Sequence, residues 1–255
     1  CACLVGSEMC IRDRGYKVAG YDRTQSPLTT ELKTEGLEIV YEESVESIPD
    51  YCRNPETTLV VYTPAIPASH SGLVYFREHG FRVVKRAELL GLITQSSRGL
   101  CFAGTHGKTT TSSMAAHIFH ESPIGCNAFL GGILRNYNSN LILSEQSPFT
   151  VIEADEYDRS FHWLHPYMAV VTATDPDHLD IYGTEEAYLE SFAHFTSLIQ
   201  PGGCLIMKKG IRLVPNVKEG VKIYTYSARD GGDFHAGNIR IGDGTCLLYT
   251  SPSPR

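Results

Sequence analysis

From residue 15 onward, short apolar runs alternate with segments that show the apolar spacing of a helix. The runs YKVAGYD, LEIVYEE, TTLVVYTPAI and FRVVK predict strands, and SPLTTELKTEGL, SGLVYFREHG and RAELLGLIT predict helices. Pro27 and Gly36 bracket the first of these helices. Strands that are apolar throughout and separated by helices indicate a parallel sheet covered on both faces. The pattern therefore predicts a Rossmann-like α/β domain over residues 15–98.

A second strand-loop-helix pattern begins after TQSSRG, a polar and turn-rich passage at residues 94–99, and we place a domain boundary there. The run LCFA predicts a strand that leads into a glycine-containing loop, and a helix follows from about Thr110 to Pro123. The apolar residues of that helix are predicted to form one face, and they are Met114, Ala115, Ile118 and Phe119. A second α/β domain is expected over residues 99–245.

Further elements of the second domain follow the same alternation. The runs FTVIEADEYD and YMAVVTATDPDH predict two apolar strands that end in acidic residues, and CLIM predicts another after the turn QPGG. Thr184 is in position to cap a helix whose first turn holds Glu185 and Glu186. The buried face of this helix is predicted to consist of Tyr188, Leu189, Phe192, Phe195 and Ile199.

The composition argues against several classes of protein. The chain has 255 residues, 42% of them hydrophobic, and a formal net charge of -7, which argues against a broad surface for nucleic acid. No stretch approaches the roughly 20 apolar residues of a membrane span, and no signal-peptide pattern opens the chain. The eight cysteines lack metal-knuckle spacing and are typical of small buried hydrophobes in a reducing compartment. We expect a cytoplasmic protein with small-molecule ligands, without nucleic-acid or membrane partners.

The two ends of the chain differ from the rest. The segments CACLVGSEMCIRDR and CLLYTSPSPR have no strand or helix period that continues the neighbouring pattern, and both resemble translated sequencing adapters. Ordinary frayed termini are the alternative. We therefore expect residues 1–14 and 246–255 to be non-native, and we leave them out of the fold prediction.

Three polar motifs, GTHGKTTT, EADEYD and TDPDH, follow predicted strands directly. In open α/β sheets, ligands bind at the carboxyl ends of the strands, so these motifs are expected to meet at one edge. The first motif is typical of a phosphate-binding loop. Backbone amides from Gly104 to Gly107 could surround phosphates, Lys108 could reach the β and γ groups, and the Thr109 hydroxyl could bind Mg²⁺. Phe102 replaces the first glycine of the general G-x-x-x-x-G-K-T pattern. An ordinary glycine turn is the alternative.

The acidic motifs supply candidate metal ligands. Glu153 ends an apolar strand, from which a carboxylate can reach Mg²⁺ held against phosphates, although a plain surface carboxylate is the alternative. His178 is either a metal ligand or a hydrogen-bonded structural histidine. The remaining acids of the second motif, Asp155, Glu156 and Asp158, are typical of a solvated loop.

Together, GTHGKTTT, EADEYDRSF and DPDHLDIYG, in this order and spacing, resemble the Mur ligase family. Within the family, GYKVAGYD, YTPAIP, RAELLG and NAFLGGI resemble the members that join L-alanine to UDP-N-acetylmuramate. The resemblance implies a three-domain cytoplasmic enzyme that splits ATP to ADP and phosphate while forming a carbon-nitrogen bond for peptidoglycan synthesis. By similarity, Thr109 and Glu153 hold one Mg²⁺, and His178 with Glu153 holds a second. The ATP contacts would come from Gly104, Thr105, His106, Gly107, Lys108, Thr109 and Thr110, with Lys108, Glu153 and His178 as the catalytic group.

The chain also departs from the family pattern. The glycine-rich loop that usually follows the first strand and binds the UDP pyrophosphate is replaced by the terminal segment, and Ala173 stands where many relatives have Asn. The remaining candidate UDP-sugar contacts are Asp22, Thr63 and Pro64. The family's carboxyl-terminal domain is not found in this sequence. We therefore expect a fragment with two incomplete domains and without turnover of its own.

Other functions stay open at this point. A ligase of murein recycling that adds a tripeptide shares the histidine-containing loop and is the close alternative. A nucleotide-binding fragment without turnover is the second. A dehydrogenase would be the third, but the chain lacks a dinucleotide glycine fingerprint.

Overall fold

The computed structural model describes residues 15–34, 36–63, 66–228, 231–242 and 245–250. By contacts, the chain divides into two compact units, one through Leu92 and one from Ile93 onward. Strands and helices alternate in both, so the predicted α/β class is confirmed. None of the helices in these described ranges combines the length and the apolar composition that a membrane span requires.

The first unit contains short strands and helices in alternation. They are β1 (Ala19–Tyr21), α1 (Pro27–Thr34), β2 (Glu38–Val40), a 3₁₀ turn (Asp50–Cys52), β3 (Leu59–Tyr62), α2 (Ser71–Glu78), β4 (Arg82–Lys85) and α3 (Arg86–Gln95), which runs on into the second unit. Each was predicted from its apolar run, except the 3₁₀ turn. The strands form two separate parallel pairs, β1 with β2 and β3 with β4.

A cavity of about 230 Å³ lies in the first unit. Its walls include all of β1 and all of β3, together with Leu73 and Phe76 of α2. Beside it, Leu32, Leu37 and Ile39 form a small buried cluster. Among the described residues of the first unit, the strands thus form two pairs, and residues of both pairs line the cavity.

The second unit is built on one nine-stranded sheet. Its elements are β5 (Arg98–Ala103), α4 (Lys108–Glu121), β6 (Asn127–Leu134), β7 (Ser139–Ile142), β8 (Phe149–Glu153), a 3₁₀ segment (Tyr157–Trp163), β9 (Pro166–Val171), α5 (Leu179–Tyr182), α6 (Glu185–Ser197), β10 (Cys204–Lys208), β11 (Lys222–Ser227), β12 (Phe234–Gly242) and β13 (Thr245–Thr250). The order is β13-β12-β11-β10-β9-β5-β8-β6-β7. Every neighbouring pair from β12 to β6 is parallel, and β13 and β7 are antiparallel at the two ends.

Helix α6 buries an aromatic face, as its spacing predicts. Thr184 caps the helix, since its hydroxyl accepts a hydrogen bond from Ala187 N at 3.2 Å. Tyr188, Phe192, Phe195 and Ile199 are fully buried, whereas Leu189 is only partly buried. The rings of Phe192 and Phe195 contact Phe161 of the 3₁₀ segment, with centroids 5.2 and 4.9 Å apart. This cluster fixes the segment that follows β8 against α6.

Helix α4 differs from its predicted face. It starts at Lys108, two residues before the predicted start, and ends just before Pro123. Met114 and Ile118 are 60% and 64% exposed, so only the part of the predicted apolar face that holds Ala115 and Phe119 packs against the core. The helix also packs through the small residues Ser112 and Ala116, with Ala115 and Phe119 partly buried. Small side chains let the helix lie close to the sheet, a choice that apolar spacing alone does not reveal.

Two strands of the sheet went unpredicted in the stretch between α4 and β8. β6 has Gly131 and Gly132 in its interior, and glycine weakens the strand signal. β7 (Ser139–Ile142) lies at the edge of the sheet and has only four residues, two polar and two apolar, which is too few to show a strand period.

Candidate functional site

The three polar motifs meet at one edge of the nine-stranded sheet, as predicted. They follow β5, β8 and β9, which are parallel neighbours in the order β9-β5-β8. Because the carboxyl ends of parallel strands lie at the same edge, the loops after these strands are adjacent. This edge is the candidate functional site.

The glycine loop after β5 packs closely against the loop after β9. Gly104 has a φ of 135°, and a Cβ there would lie 2.8 Å from Ala173 N and would overlap Thr172 Oγ1. Thr105 N donates to Ala173 O at 3.1 Å, and Thr172 Oγ1 donates to His106 O at 2.5 Å. Only glycine fits position 104, both for its backbone conformation and for the space available. The loop is thus held in one shape by one backbone hydrogen bond and one from the Thr172 side chain.

The loop ends in the first turn of α4. Gly107, at a φ of 85°, is the N-cap residue and has no side chain with which to cap the helix. The amino end of a helix presents unpaired N–H groups and a partial positive charge, and both favour an anion. Thr109 and Thr110 are exposed in this first turn, and the His106 side chain is exposed in the loop. The geometry fits a phosphate group at this position.

Lys108 is held by two acceptors. Its Nζ donates to Gly104 O at 2.9 Å and to Glu156 Oε1 at 2.7 Å. The Lys108 side chain is 16% exposed and that of Glu156 is fully buried. Burial raises the pKa of Glu156 above its usual value, although the hydrogen bond from Lys108 opposes this effect.

Sequence analysis missed Glu156, because an acidic loop is usually solvated. Glu156 is nevertheless fully buried, three residues beyond the end of β8. The strand itself is buried on both faces, so its sequence carries no alternation that would have pointed to this residue. Asp155, its neighbour, is exposed as expected.

Thr109, in the first turn of α4, lies beside Glu153, at the end of β8. Thr109 Oγ1 donates to Glu153 Oε1 at 3.0 Å, and Gly131 N donates to Glu153 Oε2 at 2.9 Å. A Cβ at Gly131 would lie 2.5 Å from the Glu153 carboxylate, so this glycine allows the close approach. Hydroxyl and carboxylate oxygens are hard ligands of the kind that Mg²⁺ prefers, so the donor set fits that ion.

His178 follows the loop after β9 and caps α5 in the left-handed region, with a φ of 52°. Its backbone N donates to Asp177 Oδ1 at 2.8 Å, and its Nε2 lies 3.8 Å from Asp177 Oδ2. The ring packs edge-on against Tyr157, at 5.3 Å between centroids. Within the described part of the chain, no three His, Cys, Asp or Glu side chains form a metal-binding group. The metal role of His178 stays a prediction.

Tyrosine side chains of α5 and α6 make hydrogen bonds to the loops of the site. Tyr188 OH lies 2.9 Å from Thr105 Oγ1, which itself donates to Asp175 O at 2.7 Å. Tyr182 OH donates to Glu156 O at 2.5 Å. Burial raises the pKa of both tyrosines, so they stay protonated and remain available as donors.

The candidate UDP-sugar residues lie in the first unit. Asp22 follows β1, and its Oδ1 accepts a hydrogen bond from Thr24 N at 3.1 Å. Thr63 follows β3, is buried and lines the cavity of that unit. Pro64 lies outside the described residues. The role of these three residues stays a prediction.

Comparison with known proteins bears directly on this arrangement. The family model of the Mur ligase middle domain matches residues 102–251. The model described as the Mur ligase family, catalytic domain, matches residues 6–98. Both matches reach into the terminal segments, whose non-native origin stays a prediction.

Among curated proteins, the chain is 66% identical over 243 residues to a UDP-N-acetylmuramate–L-alanine ligase of Parabacteroides distasonis, covering 95% of this chain and 53% of that one. It is 63% identical to the ligase of that name from Phocaeicola vulgatus, covering 94% and 52%. The chain thus spans about half the length of these relatives.

Two solved structures share the fold. A UDP-N-acetylmuramate:L-alanyl-gamma-D-glutamyl-meso-diaminopimelate ligase from Neisseria meningitides has a TM-score of 0.81 at 21% identity, covering 98% of this chain and 81% of that one. The UDP-N-acetylmuramate-alanine ligase of Thermotoga maritima has a TM-score of 0.73 at 22% identity, covering 92% and 53%. The middle-domain match covers more than half of the chain and includes all three motifs of the site. The chain therefore belongs to the Mur ligase family.

Proposed function

We propose that the protein to which this chain belongs is an ATP-dependent ligase that joins L-alanine to UDP-N-acetylmuramate in peptidoglycan precursor synthesis. The observation that carries the proposal is the glycine loop at the amino end of α4, with Lys108 as the first residue of the helix and Thr109 beside Glu153. The named activity of the relatives at 66% and 63% identity supports the choice of substrates. A cytoplasmic location is part of the proposal, and the free thiols of Cys52, Cys101, Cys126 and Cys204 are consistent with it.

The described residues suit the binding of a nucleoside triphosphate. Backbone amides of residues 104–110 would bind the phosphates at the helix terminus, and Lys108 would neutralise charge on the β and γ groups. Thr109 and Glu153 would hold Mg²⁺, with His178 and Glu153 at a second ion. Bound Mg²⁺ would offset the charge that accumulates on the phosphates during transfer.

A carboxylate offers an attacking amine only a poor leaving group, so it must first be phosphorylated. The lactyl carboxylate oxygen attacks the γ-phosphorus, ADP leaves, and an acyl phosphate forms. The amine of L-alanine then attacks the acyl carbon and expels phosphate, with loss of one proton from nitrogen. Positioning and charge neutralisation supply most of the catalysis in such a transfer.

The proposal is tested with nucleotide titration and a coupled phosphate-release assay. We expect the 255-residue chain to bind ATP with Mg²⁺ and to release no alanine-dependent phosphate. We expect a chimera, completed with the rest of the Parabacteroides distasonis ligase, to release phosphate with L-alanine and UDP-N-acetylmuramate. A chimera that uses the tripeptide but not L-alanine would favour the murein-recycling reaction. Absence of ATP binding by the chain would refute the nucleotide site.

A further inference from the structure

Glu156 is a buried carboxylate at the candidate site that neither family resemblance nor motif spacing assigned to a role. Its side chain is fully buried, its Oε1 accepts from Lys108 Nζ at 2.7 Å, and its Oε2 has no hydrogen-bond partner within the described structure. A buried carboxylate with one unpaired oxygen is unfavourable, since loss of water is only partly offset. If Glu156 had only a structural role, an apolar side chain would stabilise the fold better. The carboxylate at this position therefore needs a functional explanation.

The backbone around Glu156 is held in an unusual shape. Its carbonyl accepts hydrogen bonds from Tyr182 OH at 2.5 Å and from Arg159 N at 3.0 Å. Asp158 and Arg159 both have left-handed conformations, with φ of 50° and 55°. Such conformations are unfavourable for residues other than glycine and concentrate at functional sites. Two strained residues and a buried tyrosine thus hold the backbone from which the Glu156 side chain extends.

The partner of Glu156 is Lys108, the first residue of α4. An ammonium group has three N–H donors, and Lys108 uses one for Gly104 O and one for Glu156 Oε1. Two fixed acceptors on the protein restrict the orientation of Nζ and leave one donor for a ligand. Without these two acceptors, the flexible Lys108 side chain would lose rotamer freedom when it binds phosphate.

We propose that Glu156 is a positioning residue that, together with the carbonyl of Gly104, orients the Lys108 ammonium so that its third donor is directed at the nucleotide phosphates. The inference rests on the proposed function, since it presumes that ATP binds at this loop. It goes beyond that function, because it assigns to Glu156 the task of preparing the lysine before the nucleotide arrives. Glu156 acts through Lys108 and does not touch the nucleotide.

The test compares ATP affinity in Glu156→Gln, Lys108→Met and the double variant of the 255-residue chain. Glutamine keeps the shape and removes the charge, which weakens the bond to Lys108, so we expect Glu156→Gln to lose about tenfold in ATP affinity. The control is Asp155→Asn, which removes an equal charge from the exposed neighbour and is expected to change affinity less than about twofold. In the Lys108→Met background, Glu156→Gln is expected to have almost no further effect.

The direction of the effect separates positioning from simple electrostatics. Removing a negative charge near the phosphates would by itself tighten the binding of an anion, so a loss of affinity in Glu156→Gln requires a contribution through Lys108. Equal or tighter binding by Glu156→Gln, or additive losses in the double variant, would overturn the inference. If the wild-type chain binds no ATP, the nucleotide site itself fails and the inference falls with it. If Glu156→Gln does not fold, Tyr182→Phe decides: about threefold weaker ATP binding supports the inference, and unchanged binding overturns it.

Discussion

The two units of the chain use the same alternation of strand and helix and reach different results. In the second unit, β9, β5 and β8 are hydrogen-bonded neighbours, and the loops that follow them share one edge of a nine-stranded sheet. In the first unit, the described strands pair only as β1 with β2 and β3 with β4, and a cavity of about 230 Å³ lies between residues of β1 and β3. A continuous parallel sheet brings loops from distant parts of the chain together, whereas separate pairs do not.

Lys108→Ala is expected to have the largest effect, because it leaves Glu156 buried and without its ionic partner. We expect a loss of about 3–5 kcal/mol in the free energy of unfolding of the second unit, together with weaker ATP binding. Trp163 is the single tryptophan and lies in that unit, so its fluorescence during urea unfolding reports the change.

The loss of stability in Lys108→Ala should depend on pH. The folded-state pKa of Glu156 is already raised, so its proton is held more tightly in the folded than in the unfolded chain. Stability linked to that proton is present at low pH and is lost as pH rises through the raised pKa. The defect of Lys108→Ala should therefore be smaller at pH 5 than at pH 8. Lys218→Ala, at an exposed position, is the control and should change stability by less than about 0.5 kcal/mol.

Gly104→Ala and Gly80→Ala form a pair, one in each unit. Both glycines have positive φ, but a Cβ at Gly104 overlaps Thr172 and one at Gly80 meets no atom within 4 Å. We expect Gly80→Ala to lower the free energy of unfolding by about 1 kcal/mol, from backbone conformation alone. We expect Gly104→Ala to lower it by about 2–4 kcal/mol. Urea unfolding followed by far-UV circular dichroism measures both. Equal losses would show that the loop after β5 can relax, contrary to its packing.

The stability of the second unit should depend on pH through His162. Burial lowers its pKa, and the nearby His194 and Arg159 add to the effect, although the carbonyl of Ser191 opposes it. The unfolded chain therefore binds the proton more tightly, and stability is lost as pH falls from the unfolded value of about 6.5 through the lowered folded pKa. His162→Gln should flatten this part of the profile of Trp163 unfolding against pH. An unchanged profile would show that His162 does not contribute.

Val61→Ile should give the smallest effect, in the opposite direction. Val61 lines the cavity of the first unit, and an added methylene would fill part of it. We expect the free energy of unfolding of the first unit to rise by about 0.5–1 kcal/mol. The matched control is Val214→Ile, at a position that is 80% exposed in the second unit, which should leave stability unchanged. Hydrogen exchange of amides in β1 and β3 would locate the gain, and a loss of protection there would contradict it.

The sequence by itself determined most of the elements and the place of the candidate site. Apolar runs with period 2, helices with period 3.6, and acids or glycines at strand ends are local signals, and they predicted β5, β8, β9, α6 and the loop at residues 104–107. Thr184 as a cap and Gly107 before a helix are local as well, since each depends on a few neighbouring residues. These features follow from backbone geometry and from nearby side chains.

Tertiary structure alone decided which side chains meet. The pairing of Lys108 with Glu156 and of Glu153 with Gly131 depends on strand order, because partners far apart in sequence become neighbours only when β5 lies between β8 and β9 and β6 lies beside β8. The exposed Met114 on α4 and the division of the first unit into two strand pairs are also outcomes of packing. Burial and hydrogen bonding over long sequence separations are properties of the assembled sheet, and no local pattern encodes them.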